Sequence, residues 1–295
     1  MISVVIASMG RHSLLDTLAS LAGLRVPEGE ELEVIVADDS AELRVEALVA
    51  RLASPLAIRV LPVGAGNVSH ARNACLDAAR GQWLAFIDDD ETAAPGWLEG
   101  LLSAALEFRA DAVFGPVYPA YPAGTPAWFR KADPLFQDWK WGENGREIRR
   151  GRTGNTLLRR AAVGALRFDP AFGRSGGEDH DFFVRLAEAG SRMVVTDRAR
   201  VAEIIPPDRV DAGYVLRRAT RAGQTYAIAR ARGAGRLHGV AFCADALAKL
   251  VVAGTLAALL RPFDRARAFR LRMRMSANYG KLLGATGAPL RSSWS

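Results

Sequence analysis

The chain has 295 residues, 49% of them hydrophobic and 24% charged, with a net charge of +7 and two cysteines, Cys75 and Cys243. That length suits one large α/β domain with an appended region, and the apolar share excludes wholesale disorder. Two isolated cysteines make neither a disulfide framework nor a paired-thiolate metal site, and the opening Met1–Ile6 has no basic leader and no cleavage pattern, so a cytoplasmic setting is expected.

In chain order, Ile2–Ala7 is a short β-branched run that predicts a strand, and Leu14–Leu24 carries apolar residues at helical spacing. Leu32–Ala37 predicts a second strand that runs into Asp38-Asp39-Ser40, and a helical stretch and the strand Ile58–Val63 follow. Asn67–Ala79 reads as a helix, Trp83–Ile87 as a strand entering Asp88-Asp89-Asp90, Pro95-Gly96-Trp97 as a helix start, and Ala112–Tyr118 as one further strand. Strands alternating with helices predict an α/β fold with a mostly parallel sheet covered on both faces. Ligands of such sheets bind beyond the carboxyl ends of the strands, where the acidic clusters sit. Pro119–Arg152 breaks the pattern with Pro, Gly and Trp, including Trp128, Trp139 and Trp141, and reads as a long functional loop or small excursion. After Thr153-Gly154-Asn155 and a short strand come Gly176-Gly177-Glu178-Asp179 and the helical Phe182–Ala189; from about Val210 the chain reads as all-helical and arginine-rich.

Four clusters can carry chemistry. Three adjacent carboxylates at Asp88, Asp89 and Asp90 repel one another unless a cation compensates, and a hard Mg²⁺ or Mn²⁺ takes carboxylate and phosphate oxygens together; a solvated turn capping the next helix is the alternative. Glu178-Asp179 after two glycines can supply a base held ionised by a helix N-terminus, or an ordinary helix cap. Asp39 can accept hydrogen bonds from a base or ribose, or cap a turn. Arg72 offers a fork of donors to carbonyl or phosphate oxygens, or is a surface arginine.

The series Val4-Val5-Ile6-Ala7-Ser8-Met9-Gly10-Arg11, Val36-Ala37-Asp38-Asp39-Ser40, Ala71-Arg72-Asn73, Phe86-Ile87-Asp88-Asp89-Asp90 and Gly177-Glu178-Asp179 resembles glycosyltransferase family 2, with its GT-A fold, over roughly residues 1–210. The resemblance implies an inverting transfer from a UDP- or GDP-linked sugar to a saccharide or lipid-linked acceptor in polysaccharide assembly. It further implies that Ser8, Arg11, Asp39, Arg72, Asp88, Asp89 and Asn155 hold the donor, that Asp90 binds the divalent metal, that Asp179 is the base, and that Glu178 shapes the acceptor site. The first motif departs from the family pattern, with Ala7 and Gly10 in place of the common proline and asparagine. No histidine soon after Asp179 stands where some GT-A enzymes supply a further metal ligand, and His180 reads as structural. The expected organisation is a GT-A domain over 1–210, with a nucleotide-binding half (1–118) and an acceptor half (119–210), then a basic helical region over 211–295.

In that last region the apolar stretch Gly239–Leu260 is interrupted by Asp245 and Lys249, spaced to pair on a helix, and two charges argue against a membrane span. Two readings remain: a helix buried against the catalytic domain, or an interfacial helix at the cytoplasmic face of a membrane, where Arg261, Arg265, Arg267, Arg270, Arg272, Arg274 and Lys281 would meet anionic lipid. Two other functions compete. A nucleotidyltransferase wants a glycine-rich basic loop after the first strand, and Ala7–Arg11 holds one glycine and one arginine. A non-catalytic nucleotide-sugar-binding protein has no need of Asp90 and Asp179 together. No recognition motif supports nucleic acid.

Overall fold

The computed structural model describes residues 1–52, 56–136, 143–174, 176–231 and 236–288. Contacts divide the chain into two units. One holds Met1–Ala120 and the segment ending at Ile204; the other holds Tyr121–Phe136 and the chain from Ile205 onward.

The first unit opens β1 (Ile2–Ser8), α1 (Ser13–Ala22), β2 (Leu32–Asp38), α2 (Val45–Val49), β3 (Ile58–Pro62), α3 (Val68–Ala78), β4 (Trp83–Phe86), β5 (Glu91–Ala93), α4 (Trp97–Glu107), β6 (Ala112–Phe114) and β7 (Val117–Ala120). Within Tyr121–Phe136 lies α5 (Ala127–Ala132). The first unit then resumes with β8 (Thr156–Arg159), α6 (Arg160–Val163), α7 (Glu178–Glu188), β9 (Met193–Val195) and β10 (Val201–Ile204).

Seven strands make one sheet in the order β3-β2-β1-β4-β8-β6-β9. β3, β2, β1 and β4 are parallel to their neighbours, as are β6 and β9, while β8 runs antiparallel to β4 and β6. The mostly parallel sheet expected from the alternating pattern is therefore present. Side chains alternate across it: Val4 and Ile6 of β1 join Leu14, Leu18, Trp97 and Leu101 on one face, and Val5 joins Ala71, Phe168, Phe182 and Leu186 on the other. Burial on both faces is why these strands read as unbroken apolar runs.

The single strand expected over Ala112–Tyr118 is two strands. β6 belongs to the large sheet, whereas β7 pairs with β10 in a separate three-stranded sheet of order β5-β10-β7. Pro116 has no N–H for a ladder, and a Cβ on Gly115 would overlap the Asn155 side chain and the Ala199 carbonyl, so the chain leaves one sheet here and joins another. The expected excursion over Pro119–Arg152 is divided too: Tyr121–Phe136, including α5, groups with the helical unit, Glu147 bridges Val194, and Trp139 and Trp141 lie outside the described residues.

The second unit adds α8 (Ala212–Ala231), α9 (Arg236–Leu260) and α10 (Arg265–Ala285). Its core joins Phe129, Ala132 and Leu135 to Ile205, Val215, Ala266 and Phe269, with Trp128 edge-on to Phe269 at 5.2 Å and the Arg265 guanidinium 4.2 Å above the Trp128 ring. α8 and α10 meet along a seam of small residues. A Cβ on Gly223 would overlap the Ala277 carbonyl, and one on Gly280 the Thr220 carbonyl.

The apolar tail forms one continuous helix, with Asp245 and Lys249 paired at 2.6 Å on its surface. Gly239–Leu260 has a hydropathy of 1.8 and is long and apolar enough to cross a membrane by length and composition, and only 17% of that window is buried. A mainly buried core helix is therefore not what this segment is. Val240, Leu247, Val251, Val252, Leu256 and Leu259 are exposed, and Phe263 just beyond is 87% exposed.

Candidate active site

β1, β2 and β4 deliver Ser8, Asp39 and the Asp88–Asp90 turn to the same edge of the sheet, because all three strands run parallel and end there. β1 stands between β2 and β4, so the strand order reverses beside it, and such a reversal leaves a crevice beyond the strand ends.

The acidic turn is held from two sides. Ser8 Oγ donates to Asp89 Oδ2 at 2.7 Å, and Arg11 Nη1 lies 3.2 Å from both Asp89 Oδ1 and Asp90 Oδ2. Burial pushes the Asp89 carboxyl up to about 6 despite the Arg11 charge and the Ser8 hydrogen bond, which pull it down. Asp88 is the outward member, with a side chain 45% exposed. Behind it lies an acid that the sequence reading passed over. Glu91 is buried, its Oε2 accepts from the Asp88 N–H at 3.0 Å, and burial together with the Asp88 charge raises its pKa well above the ordinary carboxylate value. The signal was available: Glu91 is the fourth consecutive acid and begins a strand, whose alternation turns it inward.

Arg72 joins this turn to the second acidic motif. Its Nη2 is 3.7 Å from Asp88 Oδ1 and its Nη1 is 2.5 Å from Glu178 Oε1. The guanidinium is buried, which by itself would favour loss of the charge, but Glu178, Asp88 and Asp179 outweigh burial and raise its pKa. Its placement follows from how α3 is anchored. Asn67 caps the helix by accepting from Ser69 N and also donates to the Pro170 carbonyl. Ser69 Oγ donates to the Asp169 carbonyl, and Asn73 exchanges two hydrogen bonds with the backbone of Phe168. Phe168 stacks on Phe182 of α7 at 4.2 Å and lies 5.6 Å beneath the Arg72 guanidinium. α3 and α7 are thus fastened through one loop, with Arg72 on the first and Glu178 on the second.

The chain turns into α7 through Gly176 and Gly177, at φ of 80° and 104°, where a side chain would be strained. Gly177 occupies the cap position, so Glu178 and Asp179 stand inside the first turn. Asp179 is half-buried and accepts from the His180 N–H at 2.7 Å. Burial and the neighbouring Glu178 charge push its carboxyl up to about 6, against the pull of Arg72 and the His180 N–H. Glu178 Oε2 is buried with no hydrogen-bond partner among the described residues. The His180 pKa is lowered, chiefly by burial and then by Arg150, which keeps the imidazole neutral near pH 7.

The remaining expected residues separate. Asp39 is buried beside the site and accepts from Ala65 N at 2.9 Å, while Asp38 is consumed by Ser40 and Val45. Asn155, expected to hold the donor, is wholly buried. Its Nδ2 donates to the carbonyls of Pro116 and Ala199, and its Oδ1 accepts from Trp97 Nε1 at 2.8 Å. Its amide is therefore spent on the framework, at a positive φ of 53°. The residue of that segment that reaches the acidic turn is Gly154, where a Cβ would come within 2.7 Å of Glu91 Oε1 and 3.3 Å of Asp88 Oδ2.

Among the described residues, no three or more His, Cys, Asp or Glu side chains come together as a group that could hold a metal ion. The donors present still fit a hard divalent ion. Asp88 and Asp90 offer carboxylate oxygens in a turn already overloaded with negative charge, and Mg²⁺ is commonly held by one or two carboxylates plus substrate phosphates and water.

Residues 3–172 match the family described as Glycosyl transferase family 2. The chain is also 39% identical over 292 residues to "Succinoglycan biosynthesis protein ExoM" of Rhizobium meliloti (strain 1021), covering 97% of this chain and 93% of that protein. This chain belongs to glycosyltransferase family 2. Among solved structures, the S. aureus TarS 1–349 complex with UDP-GlcNAc is similar at a TM-score of 0.53 and 18% identity, over 98% of this chain and 93% of that one. The UDP complex of the same protein gives a TM-score of 0.51 at 18% identity, over the same shares of the two chains. At that identity the likeness establishes the GT-A fold. The protein is thus a glycosyltransferase built on a GT-A unit with a helical C-terminal region.

Two predictions arise from this geometry. Asn155→Ala would orphan the Trp97 N–H and the Ala199 carbonyl, leave the Pro116 carbonyl with only the Val201 N–H, and lower unfolding free energy by roughly 3–5 kcal/mol in urea titration; a raised donor Kd with unchanged unfolding would instead make Asn155 a ligand. The Asp179 carboxyl is raised from 3.8 to about 6, so the folded state holds its proton more tightly than the unfolded chain and loses stability as pH climbs through that window. Asp179→Asn therefore raises Tm at pH 7 and leaves it nearly unchanged at pH 4; equal shifts at the two values would contradict the raised pKa.

Proposed function

We propose that this glycosyltransferase moves a sugar from a UDP- or GDP-linked donor to a saccharide or lipid-linked acceptor in polysaccharide assembly, inverting the anomeric carbon. The observation that carries this is the single buried guanidinium of Arg72, which touches both Asp88 of the turn and Glu178 of α7, one residue before Asp179. That contact supports a reading in which donor and base share one cleft.

In this reading Ser8, Arg11, Asp39, Arg72, Asp88 and Asp89 form the donor side. Asp90 and Asp88 would hold a Mg²⁺ or Mn²⁺ ion, which would supply positive charge against the diphosphate leaving group. Asp179 accepts the proton of the acceptor hydroxyl while that oxygen bonds to the anomeric carbon and the bond from that carbon to the diphosphate oxygen breaks. One displacement by one base gives inversion. A carboxyl held at about 6 is ionised at neutral pH yet still basic, as general base catalysis requires. The unsatisfied Glu178 Oε2 suits a neighbouring acceptor hydroxyl as its donor, because a buried oxygen left unpaired is costly. Nucleotidyl transfer is less well served, since the Ala7–Arg11 loop supplies one arginine, and Arg11 is turned to Asp89 and Asp90.

The helical unit supports peripheral attachment at the cytoplasmic face of a membrane. The exposed apolar side of α9 adjoins a helix whose Arg267, Arg270, Arg272 and Arg274 are all exposed, a combination suited to an anionic bilayer.

The deciding experiment incubates the protein with a panel of UDP- and GDP-sugars and Mn²⁺ and reads release of the free nucleoside diphosphate. We expect turnover with one donor class, loss of at least about 100-fold in Asp179→Asn, loss with EDTA and recovery on adding Mn²⁺. Undiminished turnover in Asp179→Asn would remove the base, and undiminished turnover in EDTA would remove the metal. Cosedimentation with vesicles checks the membrane reading. Binding should rise with the anionic lipid fraction and fall with salt, and equal recovery with and without vesicles would refute it.

A further inference from the structure

Two arginines flank the acidic turn, and they are held differently. Arg72, facing Asp88, is buried, bonded to Glu178 at 2.5 Å and backed by the Phe168 ring. Arg11, facing Asp89 and Asp90, stands on the loop between β1 and α1, with a side chain 37% exposed. That loop turns at Gly10, whose φ of 71° suits glycine. Arg11 also borders an open groove of about 430 Å³, lined with it by Met9, His12, Arg44 and Leu48. Arg72 is therefore fixed, whereas Arg11 has room to swing.

Arg11 Nη1 lies 3.2 Å from Asp90 Oδ2, on a carboxylate whose side chain is only 16% exposed. Asp90 is also the carboxylate read as the metal ligand. A dication on either of its oxygens would stand close to the guanidinium, and like charges repel strongly in a poorly hydrated turn. Guanidinium and dication thus compete for one carboxylate. Asp89 does not depend on Arg11 alone, since Ser8 Oγ also donates to it at 2.7 Å, so the turn keeps a brace when the arginine moves. A displaced guanidinium needs another anion, and its fork of donors suits the oxygens of a diphosphate.

We propose that Arg11 is an exchangeable counter-ion, holding Asp90 until a nucleoside diphosphate draws the guanidinium away and the metal takes the carboxylate. The inference rests on the reading of Asp90 as the metal ligand. It makes metal and diphosphate reinforce each other, because each removes the obstacle to the other. It also gives Arg11 opposite effects on the two ligands: the guanidinium weakens metal binding and strengthens diphosphate binding. An arginine that only braced the turn would strengthen both. One that only gripped the donor would leave the metal alone.

Mn²⁺ binding to the full-length protein is read, without nucleotide, from the electron paramagnetic resonance signal of the free ion. Arg11→Ala should tighten Mn²⁺ about tenfold, and in metal-free buffer it should weaken UDP or GDP about tenfold by calorimetry. Arg11→Lys keeps the charge but loses the fork, and should fall between in both titrations. The factor by which Mn²⁺ tightens diphosphate binding should shrink in Arg11→Ala. Chelation of the ion in solution is common to both proteins and cancels in that comparison. Asp90→Asn should abolish Mn²⁺ binding, and circular dichroism checks the fold of each variant. Mn²⁺ affinity that stays unchanged or falls in Arg11→Ala overturns the exchange. If Asp90→Asn still abolishes binding in that case, the metal assignment survives the failure. Mn²⁺ binding that persists in Asp90→Asn, or that is missing from the wild type, sinks the metal assignment and the exchange with it.

Discussion

The candidate active site depends on one ionic contact made where water is scarce. Arg72 is buried, and a buried cation is tolerable only when acids surround it. Those acids come from chain segments about ninety positions apart, at Asp88 on one side and at Glu178 and Asp179 on the other. The arrangement is reciprocal. Without the guanidinium, three carboxylates would face one another across a poorly hydrated space, and without the carboxylates the guanidinium would be stranded. The hydrogen-bonded loop from Phe168 to Gly173 makes the contact possible by fastening α3 before α7 begins.

The balance is incomplete, and chemistry is concentrated where it falls short. Asp89, Glu91 and Asp179 all carry carboxyls raised by burial, and Glu178 retains an oxygen with no donor. A framework selected for stability alone would not retain four such groups together. In the proposed reading, substrate phosphates, a cation and an acceptor hydroxyl are the partners that would relieve them.

Much of this was legible in the chain. β1, β2 and β4 are buried on both faces, so they read as apolar runs, and polar residues at or just beyond their ends (Ser8, Asp38 and Asp88) mark the ligand edge of the sheet. Arg72 was visible as a candidate, but its partners were not, because pairing across ninety positions leaves no local pattern. The surroundings of Asn155 were hidden for a related reason. A polar side chain in a promising segment looks available to a ligand until Trp97, Pro116 and Ala199 are found around it. The break at Gly115 was equally hidden, since the clash that forbids a side chain there comes from residues 155 and 199. The tail was ambiguous in sequence because charges at 245 and 249 weaken an otherwise apolar run; in the structure they pair with each other on the helix surface.

The glycine seam between α8 and α10 has a consequence for where the helical unit can exist. Helices that associate by burying large apolar side chains lose much of that drive in hydrocarbon, where lipid tails compete on equal terms. Gly223, Gly280 and Gly284 instead bring backbone against backbone, and close van der Waals contact of that kind does not require water to enforce it. The pairing of these two helices is therefore portable: it can persist in an aqueous phase, in detergent or at the acyl boundary of a bilayer without a change of partner.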